Sequence, residues 1–555
     1  MKYLPTIGLE IHAELNTDSK MFCSCKNDPN EEKPNTNICP ICLGHPGTLP
    51  VLNKEAIKNV LRIGVAVGGK LADFTEWDRK QYFYPDIPKG YQISQYTYPL
   101  ITGGSIRGIE LERIHLEEDT AQSTHDTHEK SLINFNRSGV PLMELVTKPV
   151  IHDANTAVMF AKELQLLLRY LGAGDANMEK GEMRVEANIS VAPLDKSNLS
   201  DIDLLRRSMD RHDDKIGCKD TSVSTVEAAT NVDLAKPTKT FSRAEEGEAE
   251  GSTDLEGKMN CELGTKTEVK NLNSFRAVDR AIDFEIKRQI DILERGESVV
   301  QETRGWDDKK GITYSQRSKE SAHDYRYFPE PDIPKMKLSE IPEFSYDSLK
   351  ESLPELPREV RERFTKDYGA TEKEVAMFVE NVELAKYFEK IVAELGEDSE
   401  DRPAEGKVGH GGLPSIRIAM NYLLTDYLGA LKKIAGPMRY DILPKNWAEL
   451  VSMIVGNEIS SRGAKDTLAI MINDTKKSPR DIVKENNLLK ENNIGAVEEV
   501  VKKVIEENKK VVDEYVGGKT NSLQFLIGQV MKVTKGSSDP REVSEVLAKL
   551  LQNKV

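Results

Sequence analysis

Gly8-Leu9-Glu10-Ile11-His12-Ala13-Glu14 alternates apolar and ionisable side chains without a break. A β-strand separates such a series cleanly, putting Glu10, His12 and Glu14 on one face and Leu9, Ile11 and Ala13 on the other. Three ionisable groups on the inner face of a small sheet are costly unless they bind something, and a divalent cation is the best-suited partner. Arg113-Ile114-His115-Leu116-Glu117-Glu118-Asp119 repeats the composition, with Arg113, His115 and Glu117 sharing a face, and Arg184-Val185-Glu186-Ala187-Asn188 supplies a third polar row. So many carboxylates need a counter-charge: a metal, Lys or Arg, or protonation of one member. Solvated strand faces held by ordinary ion pairs would produce the same rows. The donors are mostly oxygen, which favours Mg²⁺ over Zn²⁺ and leaves His12 and His115 as ligands or as groups that orient them.

Four of the six cysteines form two knuckles, Cys23-Ser24-Cys25 and Cys39-Pro40-Ile41-Cys42, with thirteen residues between them. That loop is long enough to close around one tetrahedral ion, and in a reducing compartment four thiolates on zinc are the better explanation than disulfides. Unmetallated thiols are the other reading. A closed four-sulfur shell has no open position for catalysis. Cys218 and Cys261 have no such neighbours and read as incidental.

Along the chain, the first 190 or so residues are rich in Gly, Pro and aromatics, with short β-runs at Tyr3–Leu9, Ile106–Ile109 and Arg184–Val191. Asn53 is placed to cap one helix, and Asn155–Leu171 reads as another that stops at Gly172. These features predict an α+β domain with a mixed or antiparallel sheet. Residues 193–258 are polar and aperiodic, an expected surface insertion. A strand resumes at Leu263–Val269, and Ser274 caps a helix bearing Phe275, Val278, Ile282, Ile286 and Ile290. After the Pro-rich stretch 328–337 the pattern is helical, and the expected units are 1–338, 339–442 and 443–555. The last has helices at Trp447–Ile454, Gly495–Glu507, Ser522–Thr534 and Pro540–Leu551, broken at Gly517-Gly518 and Gly536.

At 555 residues with 38% hydrophobic and 30% charged side chains, the chain exceeds what one core supports. No apolar run approaches the ~20 residues of a membrane span. The N-terminus runs straight into a strand rather than a leader, so the expected compartment is the cytoplasm. Net charge is −15, no general case for nucleic acid, although the residues from Val451 onward carry a small excess of Lys and Arg. Asp78–Asp86 and Pro88–Gln92 mix cations, phenols and tight turns that can hold phosphate or line a polar passage. Neither GxxxxGK[ST] nor an HRD…DFG pair is present, so no standard nucleotide signature applies. The residues alone describe a metal-dependent enzyme acting through carboxylates, with a zinc knuckle.

Several long strings resemble the B-subunit family of the aminoacyl-tRNA amidotransferases. They are Gly8–Glu14, Cys39–Gly47, Asp78–Asp86, Pro88–Gln95, His115–Asp119, Asn136–Glu144, Met178–Gly181, Glu268–Phe275, Asp324–Asp332 and Phe525–Lys532. The resemblance spans nearly everything outside 193–258. It implies a cradle-like catalytic domain, a helical domain and a small helical tail that contacts tRNA, here through Lys532 and Lys535. It also implies phosphorylation by ATP of the side-chain carboxylate of mischarged Glu-tRNA(Gln) or Asp-tRNA(Asn). Ammonia would come through a channel from a partner amidase, the A subunit of the family's complexes, and a small C subunit would tie the assembly together. Glu10, His12, Glu14, His115, Glu117 and Glu118 match the family's metal and ATP region, with Glu10, His12 and Glu117 as metal ligands. Arg79, Tyr82, Arg113, Asn136, Arg137 and Lys270 are the candidates for holding ATP, and Lys80, Lys89 and Glu186 match positions associated with ammonia delivery. Two departures stand out: Thr120-Ala121-Gln122 replaces the usual Ala-Gly-Lys after the acidic pair, and Glu186 replaces a usual Asp. A tRNA-binding scaffold without chemistry is the rival reading, and the archaeal glutamine-specific relative shares the cradle motifs but carries a larger extra domain.

Overall fold

A computed structural model describes residues 3–125, 130–194, 263–318, 325–397, 413–434, 438–490, 494–516, 521–534 and 540–552. Tyr3–Glu14 is a single strand of 12 residues in which Ile7, Leu9, Ile11 and Ala13 are fully buried. It lies near the middle of a ten-stranded sheet, antiparallel to Pro141–Thr147 on one side and to Met183–Pro193 on the other. Ile109–Glu118 follows beyond Pro141–Thr147, and Thr267–Leu272 beyond Met183–Pro193. Thr267–Leu272 and Glu302–Asp307 run parallel, which makes the sheet mixed, as predicted.

Three amphipathic helices pack against this sheet: Lys54–Ala66, Ala154–Tyr170 and Phe275–Glu294. Each starts at a side-chain cap. Asn53 accepts from the backbone N–H groups of Glu55 and Ala56, Asp153 from Thr156, and Ser274 from Ala277, satisfying donors that a helix start leaves open. With its apolar side chains directed to the core, the central strand presents its ionisable ones on the other face.

Two strand expectations need correction. Ile106–Ile109 is a hairpin rather than a strand: Ser105–Ile106 pairs with the start of Ile109–Glu118 across Arg107 and Gly108, both with positive φ. Four apolar-flanked residues cannot distinguish a strand from the two-residue turn that joins two strands. The strand expected from Leu263 begins at Thr267, because Leu263 is exposed and has no core to face. The expectations for the 193–258 insertion, for Cys218 and Cys261, and for the breaks at Gly517-Gly518 and Gly536 fall on residues outside those described, apart from Pro193 and Leu194.

The chain divides into two compact units, Met1–Pro354 and Glu355–Val555. In the second, every element of the described residues longer than a bridge is helical. Its helices Val382–Glu397 and Pro444–Val455 share a core in which the Trp447 indole donates to the Tyr387 hydroxyl at 2.7 Å, and that hydroxyl donates to the Ile442 carbonyl at 2.6 Å. A separate hydrophobic cluster joins Val501, Val504, Leu526, Val530, Val543 and Leu547 from the C-terminal helices. Among the described residues no helix is long and apolar enough to cross a membrane.

Candidate active site

Strand register assembles the site. His115 lies opposite Glu144, Glu144 opposite His12, and His12 opposite Arg184, while Glu10 lies opposite Glu186. One polar row therefore crosses four adjacent strands on the face turned away from the helices. Its centre is Glu144, 5% exposed, with one carboxylate oxygen 3.3 Å from His12 Nε2 and 3.5 Å from His115 Nε2, and the other 3.4 Å from Arg113 Nη2. His12 Nε2 also lies 3.6 Å from Glu117 and 3.9 Å from Glu10.

Burial dominates the electrostatics here. It raises the Glu10 carboxyl to about 7, with the charges of Glu144 and Glu186 adding to the effect, and it raises Glu117. Burial opposes the charged form of His12, but the bond to Glu144 and the charges of Glu144, Glu117 and Glu10 overcome it and bring the imidazole up to about 9. At His115 burial outweighs the charge of Glu144 and takes the imidazole down to about 4. Burial likewise opposes ionisation of Glu144, yet the facing His115 and His12 rings hold it well below the usual carboxylate range. Lys80 is the matching cation: Glu117 and Glu144 raise it against the cost of burial.

Three overlapping groups of ligand atoms fall within 4.8 Å of one another: Glu10–His12–Glu144, His115–Glu117–Glu144 and Glu10–Glu186–Glu268. Nδ1 of His115 and Oε2 of Glu117 are buried without a hydrogen-bond partner. Buried polar atoms are normally satisfied, so carboxylates gathered here with unsatisfied lone pairs among them suit a cation with several oxygen ligands. Glu144 and Glu268 were not among the residues singled out from the sequence. Glu144 had a signal there, as the one charge in the otherwise apolar run Pro141-Leu142-Met143-Glu144-Leu145-Val146.

Not every expected residue joins this row. Glu14 hydrogen-bonds to Asp119 and is raised to about 9 by burial and by that neighbour's charge, while Arg184 and Arg137 keep Asp119 ionised against burial. Glu118 is turned the other way from Glu117, to Lys89 Nζ at 2.6 Å and to the backbone N–H of Ile93 at 3.0 Å. Lys89 and Glu118 line a cavity of about 210 Å³ together with Phe22, Ile41 and His45. Glu186 pairs with Lys270 at 2.8 Å beside Glu10, not with Lys80 or Lys89. Arg79 is held by both oxygens of Glu330, at 2.6 and 2.7 Å, and stacks over Tyr91. Arg137 donates to the carbonyls of Thr120 and Ala121. Asn136, fully buried, bonds the backbone of Lys33, Thr36 and Asn37 and so anchors the cysteine loop. Tyr82 lies within the field of Lys80 and Glu117. Lys532 is exposed on the helix Asn521–Val533, and Lys535 lies outside the described residues.

The second centre is the thiol group. The sulfurs of Cys23, Cys25, Cys39 and Cys42 lie within 4.8 Å of one another, with 3.9 Å between Cys39 and Cys42. Four sulfurs at ~2.3 Å around a tetrahedral zinc would be about 3.8 Å apart. The Cys39 N–H donates to Cys42 Sγ at 3.1 Å, and the thiol of Cys23 lowers Cys42 to about 5 by hydrogen bonding. This arrangement can hold one metal ion.

The first 342 residues contain a match to the model of the GatB/GatE catalytic domain at 5–206 and 242–342, and residues 410–551 match the GatB domain. The unmatched stretch 207–241 lies inside the expected insertion. Among curated proteins, the B subunit of the aspartyl/glutamyl-tRNA(Asn/Gln) amidotransferase of Thermodesulfovibrio yellowstonii is 37% identical over 561 residues, with all of both chains covered. The proteins of the same name from Caldanaerobacter subterraneus and Rippkaea orientalis are 38% and 34% identical. Those two alignments cover 99% of this chain, and 99% and 98% of the relatives respectively. Matching domains in the same order, with full-length similarity throughout, establish that the chain belongs to the family of aspartyl/glutamyl-tRNA(Asn/Gln) amidotransferase B subunits.

Proposed function

We propose that this chain uses ATP to phosphorylate the side-chain carboxylate of a glutamyl or aspartyl group esterified to tRNA, after which ammonia displaces phosphate and leaves the amide. The observation that carries this reading is the Glu10–His12–Glu144–Glu117 constellation, with Glu144 and Glu117 buried, in a chain similar over its whole length to proteins named for that reaction. A carboxylate resists attack by ammonia, and phosphorylation supplies the leaving group. When bound, Mg²⁺ would neutralise the phosphate oxygens during transfer. Glu10, Glu117 and Glu144 would hold it, and His12 and His115 would orient those carboxylates. Lys80 and Arg113 would offset the charge of the incoming phosphates and carboxylate. Tyr82, Lys270, Arg79, Asn136 and Arg137 belong to the proposed ATP region, the last three as supports through the contacts described.

Ammonia would come from a partner amidase, the A subunit, held in the assembly with a small C subunit. Lys89 with Glu118 at the cavity is the proposed point of delivery, and Lys80 and Glu186 are the other residues proposed for it. The four cysteines would hold structural zinc. The tail, 443–555, is proposed to contact tRNA through Lys532 and Lys535.

The test compares Glu10→Gln with Lys89→Met in the reconstituted complex on Glu-tRNA and Asp-tRNA. Glu10→Gln should lose both phosphate release and amide formation, and free ammonia should not restore them, whereas Lys89→Met should recover with ammonia. Full amidation by Glu10→Gln would leave a scaffold role instead.

Gly528 gives a second test, with effects of opposite sign. It sits exposed inside the helix Asn521–Val533, between exposed Phe525 and Lys532, and a Cβ there would meet nothing within 4 Å. Glycine costs about 1 kcal/mol against alanine in such a position, and internal packing does not require it. Gly528→Ala should raise the stability of the C-terminal helices by about 0.5–1 kcal/mol in urea melts. If the tail approaches the RNA backbone at this glycine, the same change should weaken tRNA binding.

A further inference from the structure

Five tyrosines form an unbroken chain of ring contacts beside the carboxylate row. Tyr84 meets Tyr82 at 5.8 Å between centroids, Tyr82 meets Tyr325 at 5.9 Å, and Tyr325 meets Tyr327 at 6.0 Å. Tyr327 then stacks on Tyr96 at 4.3 Å with the planes 12° apart. The middle of the chain faces the site: Lys80 Nζ lies 5.2 Å from the centre of the Tyr325 ring, and Tyr327 lies in the field of Glu117 and Glu144. Its two ends face solvent. Tyr84 and Tyr96 are both 49% exposed, and Phe83, next to Tyr84 in sequence, is 78% exposed.

Such rings are expensive to leave in water and are not needed to close the core. Arg326, between Tyr325 and Tyr327, takes a left-handed φ of 43° with its side chain exposed. A non-glycine residue in that region is strained, and here the strain accompanies two neighbouring rings in mutual contact with a cation beside them. Half-exposed aromatic rings with an adjacent guanidinium are the elements that hold unpaired nucleotides, by stacking on bases and by attraction to phosphate.

We infer that the stacked pair Tyr96–Tyr327, with Tyr84 and Arg326, is the seat for the unpaired 3′ end of the aminoacyl-tRNA. The inference rests on the activation reading, which supplies the geometric reason. The reacting carboxylate belongs to an amino acid esterified to the terminal ribose. When that carboxylate reaches Glu117 and Glu144, the terminal base must lie within a nucleotide's length of them. Tyr96 stacks on Tyr327, the neighbour in the chain of the Tyr325 ring that Lys80 meets. A protein partner covering the same rings is the competing occupant, but it would not account for the middle of the chain facing Lys80 and the carboxylates.

The test uses full-length chain in the reconstituted complex, with a tRNA carrying 2-aminopurine as its last base. Fluorescence should be quenched on binding to the unaltered protein and to Tyr96→Phe, which keeps the ring. The quenching should be lost with Tyr96→Ala, together with a rise of about tenfold or more in KM for Glu-tRNA at little cost to kcat. Tyr84→Ala should act in the same direction, which protects the test against misfolding of one variant. Unchanged quenching in both alanine variants would overturn the inference, as would absence of quenching in the unaltered protein. Weaker assembly with the amidase while quenching persists would give the surface to a protein partner and equally overturn it. Failure of the activation reading shows separately, as absence of ATP-dependent phosphate release in the unaltered complex.

Discussion

Replacing Glu144 with glutamine is expected to lower ATP-dependent phosphate release and amide formation by about a hundredfold or more, while tRNA binding changes less than about twofold. Glu144 touches His12, His115 and Arg113 and belongs to two of the three candidate ligand groups, so its charge positions more of the site than any neighbour's. The amide keeps the volume but removes the charge that faces the His12 imidazolium and that would hold a cation. Free ammonia should leave the defect in place, because the lesion precedes attack by ammonia. Glu14→Gln is the control. Glu14 lies on the same strand face, but its carboxyl bonds to Asp119, and an amide can donate that same bond. Its loss should stay within about fivefold, because one neutral donor to the Asp119 carboxylate replaces another and the bond is kept. Equal defects in the two variants would mean that the whole face acts as one packed polar surface, and the central role of Glu144 would be wrong.

The contrast between Glu14 and Glu144 also marks what the sequence carries. Alternation gives the face of Glu10, His12 and Glu14, because side-chain direction in a strand follows from local geometry. It does not give the neighbours on that face, which depend on the register of strands more than a hundred residues apart. Glu14, at the strand end, meets Asp119 and Arg184, and Glu10 and His12 meet Glu186 and Glu144. Glu144 escaped notice because Pro141–Thr147 is otherwise buried and apolar, with no polar alternation to flag it. Its isolation was the available clue, since a lone charge in such a strand needs a partner. Helix starts were legible for the opposite reason: Asn53 and Ser274 act on donors two or three residues away, wholly within local sequence. The hairpin at Arg107-Gly108 was missed because its turn lies between apolar residues that mimic a continuous strand.

Cys42→Ser is expected to remove nearly all of about one zinc per chain and to lower the thermal stability of the N-terminal unit by several kcal/mol, a fraction of the ~10–16 kcal/mol that structural zinc supplies to small fingers. The surroundings of the four sulfurs say why the loss should spread. Lys20, 1% exposed, sits beside them with its ammonium donating to the carbonyls of Asn37 at 2.7 Å and Phe135 at 3.2 Å. The Ser138 hydroxyl donates to the Cys42 carbonyl, and the Met21 N–H donates to the Gly139 carbonyl. The knuckle thereby ties the segment after the Tyr3–Glu14 strand to the loop before Pro141–Thr147, two strands that carry Glu10, His12 and Glu144. A buried ammonium requires compensating charge, and four thiolates around Zn²⁺ leave two negative charges to provide it. Without metal, the one thiol lowered to about 5, Cys42, would supply only part of that charge. Lys20→Met therefore separates the two states of the knuckle. With zinc bound, the variant should release metal to a chelator faster than the unaltered chain and melt earlier. With unmetallated thiols, the chelator should leave the melting of both chains unchanged. Elemental analysis of protein prepared under reducing, zinc-replete conditions, followed by melting with and without chelator, reads both outcomes. Absence of zinc, or a melting temperature indifferent to the chelator, would overturn the structural role given to these four cysteines.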